Sequence, residues 1–155
     1  MNSLFIATGS NIGERKEHLQ LAKAKLSAHF TFIAQSRIYE SPAVDYLNQP
    51  DFYNQVLEFK SDLSFTPEDI LNILLNTELE MGRNRLIPKG PRNIDIDLLF
   101  FNTIKYSSDA LILPHPRLFE RSFVVLPLSE LPGFPLLEKT FNFSFAFDNF
   151  ASPIS

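Results

Sequence analysis

FYNQVLEFKSDLSFTPED, residues 52–69, is the stretch on which the reading of the fold turns. From Phe52 to Asp62 the side chains alternate. Tyr53, Gln55, Leu57 and Phe59 share one face and Asn54, Val56, Glu58 and Lys60 the other, which is the period of a strand. The pattern then changes. Thr66 can cap a helix, and Pro67 occupies its first turn, where a missing N–H costs nothing. Glu68 and Asp69 face the positive helix end. Ile70, Leu71, Leu74, Leu75 and Leu79 follow at helical spacing and are expected to point inward, with a stop near Gly82.

Working outward from this strand and helix, Asn93 to Phe101 has the apolar character of a central strand. Residues 102–106 suit a turn into a short pairing strand, and beyond the bend at Pro114 and Pro116 a helix is predicted from Leu118 to about Leu126. Upstream, Ser3 to Thr8 forms a buried strand closed by Gly9-Ser10-Asn11. An amphipathic helix from Glu14 to about Phe30 turns Leu19, Ala22, Leu26 and Phe30 inward. Phe32 to Tyr39 is a further strand, and a polar loop carrying Pro42 and Pro50 runs from Glu40 to Asp51. After Phe134 the chain alternates Phe141, Phe143, Phe145 and Phe147 with polar residues, which fits a strand or a loosely ordered end. Strand, helix, strand, strand, helix, strand is the split βαβ order of ferredoxin-like folds. The expectation is one α+β domain spanning residues 1–155, with a mostly antiparallel sheet and helices packed on its faces.

Composition narrows the function. With no cysteine there is no disulfide, thiolate zinc site or cysteine nucleophile, which suits a reducing compartment. A net charge of -4 argues against nucleic acid as a partner. No apolar run approaches the ~20 residues that span a bilayer, and the first residues lack the basic lead of a signal peptide. A cytoplasmic monomer that does not engage the membrane is expected.

The charge is unevenly placed. Arg83, Arg85, Lys89 and Arg92 crowd one segment, and Gly90-Pro91-Arg92-Asn93-Ile94-Asp95-Ile96-Asp97 follows through it. On a strand Asp95 and Asp97 point the same way, about 7 Å apart, with Ile94, Ile96 and Leu98 turned into the core. Two carboxylates so placed can hold one Mg²⁺, or two with phosphate oxygens completing the shells. A solvated polar strand face would need no metal, yet aspartate is a poor strand former and two in an apolar strand call for a reason. Arg83, Arg85, Arg92, Arg117 and Arg121 could surround a polyphosphate, although arginines in loops are usually solvated. His115, between two prolines, can donate to a phosphate or bond loop backbone. Glu78 and Glu80 stand at a helix end that disfavours acids; either could partner an arginine or ATP there, and a solvated carboxylate is the plain reading. Gly9-Ser10-Asn11-Ile12-Gly13 lacks the P-loop pattern and is a close-packing turn. Phe52, Tyr53, Asn54 and Phe123 could hold a flat heterocycle, with the amide reading its edge.

In order and spacing the first 130 residues or so resemble the 6-hydroxymethyl-7,8-dihydropterin pyrophosphokinase family. The likeness runs through Ala7-Thr8-Gly9-Ser10-Asn11, Tyr39-Glu40-Ser41-Pro42, Gln49-Pro50-Asp51-Phe52-Tyr53-Asn54 and Glu78-Leu79-Glu80-Met81-Gly82-Arg83. It continues through the specific Gly-Pro-Arg-x-x-Asp-x-Asp run, Pro114-His115 and Arg121-Ser122-Phe123. The resemblance implies transfer of pyrophosphate from ATP to 6-hydroxymethyl-7,8-dihydropterin in folate synthesis, with AMP leaving. It implies two Mg²⁺ ions on Asp95 and Asp97, which with Arg83 and Arg92 would be the catalytic residues. Glu78, Arg83, Arg85, Arg92, His115 and Arg121 would bind ATP. Ser41, Pro42, Ala43, Val44, Phe52, Asn54 and Phe123 would hold the pterin, and loops near residues 12–15, 44–49 and 84–91 would close over both. This chain departs from the family in Lys89, where a large aromatic is frequent, in Phe52 for a tyrosine of some members, and in Ala43 for a second proline. Rival readings are another Asp-x-Asp phosphotransfer enzyme and a binding module without turnover.

Overall fold

A computed structural model describes residues 1–43, 48–83 and 92–154. Strand β1 (Asn2–Ser10) and helix α1 (Arg15–Leu26) lead to β2 (Thr31–Gln35) and β3 (Tyr39–Ser41). Then come β4 (Phe52–Ser61), α2 (Pro67–Glu80) and β5 (Asp95–Phe101). A small pair, β6 (Tyr106–Ser107) and β7 (Ile112–Leu113), precedes a 3₁₀ turn at Pro116–Glu120. Helices α3 (Ser122–Leu128) and α4 (Phe134–Thr140) and strand β8 (Ser152–Pro153) complete the order.

The main sheet runs β5-β1-β4-β3-β8, with β2 also on β4, and every pairing is antiparallel. Strand β4 is long enough to serve two partners: β2 pairs with its residues 57–60 and β3 with 52–54. The expected strand 32–39 therefore divides. Ser36 makes the break, since its hydroxyl accepts the Val56 N–H at 3.0 Å where a ladder carbonyl would stand. This is the ferredoxin-like arrangement predicted, with one correction. Among the described residues β5 pairs with β1 alone and lies at the sheet edge, not its centre. Helices cover both faces of it, so an edge strand here carries the continuous apolar run of a central one.

One sheet face packs Leu4, Ile6, Leu57, Phe59, Ile96 and Leu98 against Leu19, Ala22 and Leu26 of α1 and Ile70 and Leu74 of α2. The other packs Phe5, Val56, Leu99 and Phe100 against Val124 and Leu128 of α3 and Phe134 and Leu137 of α4. Helix α2 starts as predicted: Thr66 accepts from the Asp69 N–H while Asp69 accepts from the Thr66 N–H. Its inward stripe is Ile70, Leu74, Thr77 and Glu78, whereas Leu75 is partly and Leu79 largely exposed, against expectation. The first helix ends at Leu26, short of Phe30. The region after Phe134 opens as a helix, and Phe141 and Phe143 then pack on Phe100 and Phe119. Aromatic packing, not strand pairing, places Phe141 and Phe143, whereas Phe145 is half exposed.

Candidate active site

Asp95, Asp97, Ala7, Gly9, Ser41 and Asn54 line one cavity of about 480 Å³, closed by Phe123 and Val124 of α3 and by the end of α2. How α2 ends decides the charged side. Gly82 sits at φ +76°, which glycine adopts without strain. The Arg83 N–H then bonds back to the Glu78 carbonyl (3.1 Å) and the Gly82 N–H to that of Leu79 (3.0 Å), a Schellman cap. The chain so reversed brings Arg83 over Glu78. One guanidinium nitrogen lies 2.9 Å from Glu78 Oε2 and 3.0 Å from Asp95 Oδ1.

Glu78 is therefore not the solvated acid its place at the helix end suggested. It is buried, and its Oε2 also accepts the Ile96 N–H at 2.8 Å, on the side of β5 turned away from β1. An edge strand leaves such an N–H unpaired, and the carboxylate supplies the acceptor.

Asp97 lines the cavity and is exposed to it. Desolvation first, then the negative charges of Asp95 and Glu78, push its carboxyl up to about 7. Arg83 works against that shift, and water in the cavity screens part of it. Two buried guanidinium nitrogens, Arg83 Nε and Arg92 Nε, have no hydrogen-bond partner among the described residues. Both arginines line the cavity. An N–H buried without an acceptor costs about 1–3 kcal/mol, so these two are poised for oxygens that a ligand would bring. Arg92 also lies over the Phe52 ring, 4.9 Å from its centre.

The opposite side is neutral. Asn54 on β4 donates to the Tyr39 carbonyl (3.1 Å) and to Ser41 Oγ (2.9 Å), which fixes the amide with both donors spent. Ser41, Pro42, Phe52 and Phe123 complete this wall; Ala43 is buried but stands outside the lining. His115 and Arg121 line the cavity as well, and Arg117 does not. His115 Nδ1 accepts the Arg117 N–H at 3.1 Å. Burial, then the charges of Arg121 and Arg117, lower its pKa, so the neutral ring carries its proton on Nε2. Val44, Arg85 and Lys89, with most of two expected closing loops, lie outside the described residues.

Sequence reasoning passed over Asn11. It is buried, and its side chain accepts the Arg92 N–H (2.8 Å) while donating to Gln49 Oε1 (2.8 Å) and the Pro50 carbonyl (3.0 Å). Its own N–H bonds the Arg92 carbonyl at 3.1 Å. One amide thus joins the segments entering the charged and the neutral wall. The signal is an asparagine in a glycine turn next to a buried strand, which by itself indicates only local turn chemistry. Gln49, Leu71 and Leu75 were likewise not anticipated as cavity residues.

Acids beside buried arginines, opposite a neutral wall, form a layout compatible with phosphotransfer chemistry. A family model for 7,8-dihydro-6-hydroxymethylpterin-pyrophosphokinase (HPPK) matches residues 5–133, and the chain belongs to that family. The 2-amino-4-hydroxy-6-hydroxymethyldihydropteridine pyrophosphokinase of Bacillus subtilis (strain 168) is 42% identical over 132 residues, 84% of this chain and 78% of that protein. The folic acid synthesis protein fol1 of Pneumocystis carinii is 39% identical over 84% of this chain, which spans 18% of that longer protein. For the bifunctional protein FolKE of Lactococcus lactis subsp. lactis (strain IL1403) the identity is 35%, with 84% of this chain and 38% of that one covered. The crystal structure of wild-type Plasmodium falciparum HPPK-DHPS with SDX-DHP covers 90% of this chain and 43% of its own, with a TM-score of 0.61 and 15% identity. An HPPK-DHPS in complex with substrates gives 0.67 at 15% identity, covering 93% and 44%. At that identity the likeness is one of fold. The chain is a pyrophosphokinase of folate synthesis, moving pyrophosphate from ATP to 6-hydroxymethyl-7,8-dihydropterin.

Proposed function

We propose that the cavity binds both substrates at once, ATP on the charged wall and the pterin on the neutral one. The observation that carries this is the pair of buried, partnerless guanidinium N–H groups on Arg83 and Arg92, beside Asp95 and Asp97. Arg83, Arg92, His115 and Arg121 take the phosphate oxygens, and Glu78 holds Arg83 in place for them. Ser41, Pro42, Phe52 and Phe123 enclose the pterin ring. Asn54, its donors already used, offers Oδ1 to the N–H groups at the pterin edge.

Mg²⁺ fits the residues present. Among the described residues no third acid or histidine completes a protein-only metal cage, and two carboxylates open to a cavity suit a cation that takes its other ligands from phosphate and water. Asp95 and Asp97 would hold two ions, which when bound neutralise charge on the phosphoryl oxygens. Asp95 is already paired with Arg83, so its negative charge is met before any cation enters.

In the reaction the hydroxymethyl oxygen bonds to the β-phosphorus of ATP and gives its proton to Asp97 or to water, as the bond from that phosphorus to the α-phosphate oxygen breaks, releasing AMP. The arginines meet charge spreading over the transferred oxygens, and positioning supplies most of the rate. The 155 residues act as one domain and as a monomer in the cytoplasm, without nucleic acid. The pairing of β8 with β3 in the same sheet as β1 and the net charge of -4 support this, and no helix among the described residues is long and apolar enough to cross a membrane.

The test is AMP release from ATP and 6-hydroxymethyl-7,8-dihydropterin, with Mg²⁺ and with EDTA. AMP that requires both the pterin and the metal supports the proposal. Pterin-dependent AMP that survives EDTA overturns the metal assignment, and folded protein releasing none overturns the turnover itself.

A further inference from the structure

Helix α3 has no capping side chain of its own: Arg121 occupies the cap position and makes no side-chain bond to the helix. The cap comes from far along the chain. Asn149 Oδ1 accepts the Ser122 N–H at 2.8 Å and the Ser122 hydroxyl at 2.5 Å, while its Nδ2 donates to the Glu120 carbonyl at 2.7 Å. One carboxamide therefore grips the backbone on both sides of Arg121. Arg121 itself is held extended, at φ -101° and ψ 109°. Ser122 is buried, and the residues flanking it, Arg121 and Phe123, both line the cavity.

Asn149 is in turn anchored. Three residues on, Ser152 and Pro153 add β8 to the outer edge of β3, opposite Tyr39 and Glu40, and the Ile154 N–H bonds the Ile38 carbonyl at 3.0 Å. Strand β3 ends in Ser41, on the neutral wall. The segment 149–154 thus ties the start of α3 to β3, and both elements contribute residues to the cavity lining. It lies beyond residues 5–133, the span that the family model matches.

We propose that Asn149 is a positioning residue for Arg121 and Phe123, held in place by the β8 strap. This rests on the reading of Arg121 as a phosphate contact. A free carboxamide on a mobile tail would lose freedom at each encounter; one held by β8 is already in place when substrate arrives. Losing a helix cap of this kind is worth about 0.5–2 kcal/mol, so the expected change is roughly 2- to 30-fold in the constants that Arg121 and Phe123 control.

The experiment is steady-state AMP release by the full-length chain and its N149A, N149D, R121A and N149A/R121A variants, with thermal unfolding alongside. N149A is expected to raise KM for ATP and for the pterin roughly tenfold with a smaller change in kcat. N149D keeps the acceptor for Ser122 and loses the donor to Glu120, so it should fall between parent and N149A. In the R121A background N149A should change the ATP KM little further, because the residue it positions is gone. If N149A does not fold, N149D and N149D/R121A carry the same comparison. An impaired R121A beside Asn149 variants with parental KM values overturns the inference alone. The same loss from the Asn149 change with and without Arg121 also overturns it, leaving a merely structural cap. A parental ATP KM in R121A overturns instead the phosphate reading on which the inference rests.

Discussion

On the β5 side of the cavity the functional groups are charged and hold one another, whereas on the β3 side they are neutral and are held by backbone and a hydroxyl. Arg83 is shared between Glu78 and Asp95, and Asp97 remains beside them with its carboxyl pushed up to about 7. Asn54 is fixed by Tyr39 and Ser41 without any ion. The charged wall is thus a set of mutual compromises that an incoming polyanion and its cations would rearrange. The neutral wall has its hydrogen bonds already made, ready for the flat ring proposed to enter it. Charge tolerates rearrangement because Coulomb attraction is long in range and weak in direction, while reading the edge of a ring requires fixed hydrogen-bond vectors.

The sharpest way to break the contrast is at Asp97. Asp97→Ala should lower turnover by at least about 10³-fold, the scale of losing a key electrostatic group in a site of this kind. Thermal unfolding should show no loss of stability, because the change relieves repulsion with Asp95 and Glu78. Near-parental AMP release from that variant would remove the charged wall from catalysis. Across the cavity, Asn54→Leu should raise the pterin KM by roughly 10- to 100-fold, the value of one to two lost hydrogen bonds, and leave the ATP KM near the parent's. Equal changes in both constants would show that the two walls are not separate sites.

Glu78→Ala tests the mutual holding directly. It leaves Arg83 with Asp95 alone and the Ile96 N–H without its carboxylate. A loss of about 2–4 kcal/mol in urea unfolding is expected, below the full cost of a broken buried pair because Asp95 still partners the arginine. A loss under about 0.5 kcal/mol would mean that the pairing contributes no more than a surface ion pair.

The Asp-x-Asp strand, the helix start at Thr66 and the pocket asparagine were legible because each depends on neighbours in sequence: alternation, a cap box, a strand opening. The burial of Glu78 was not. A helix-terminal acid looks solvated until an edge strand some eighteen residues later presents an unpaired N–H. For the same reason β5 seemed central, since residue types report how apolar the surroundings are and not how many strands flank them. Asn11 and Asn149 were missed because each bonds across the chain, to Arg92 and to Ser122, and nothing local distinguishes such an asparagine from one in a turn. The phenylalanine alternation after residue 140 left a strand and a loose end open, because aromatic packing on a sheet face can space side chains as a strand does.

The smallest expected effect concerns pH. Asp97 binds its proton more tightly in the folded chain than an ordinary aspartate does, with desolvation the largest cause and Asp95 next. Its unfolded counterpart releases the proton near the usual carboxylate value of about 3.9. Between that value and about 7 the folded, metal-free protein holds more protons than the unfolded one. Stability from this group is therefore complete below pH ~3.9 and is lost as pH rises through 7. Asp97→Asn removes the titration, so in EDTA its stability should fall less than the parent's between pH 5 and 8 in urea unfolding, as linkage requires. Mg²⁺ and ATP together should flatten the parent's curve too, because bound cations favour the ionised carboxylate. The neutral wall predicts the opposite control: Asn54→Leu has no proton to release and should shift the whole curve without changing its slope. A parent and an Asp97→Asn variant with parallel curves would place the carboxylate in ordinary solvent, and the charged wall would then be no more strained than the neutral one.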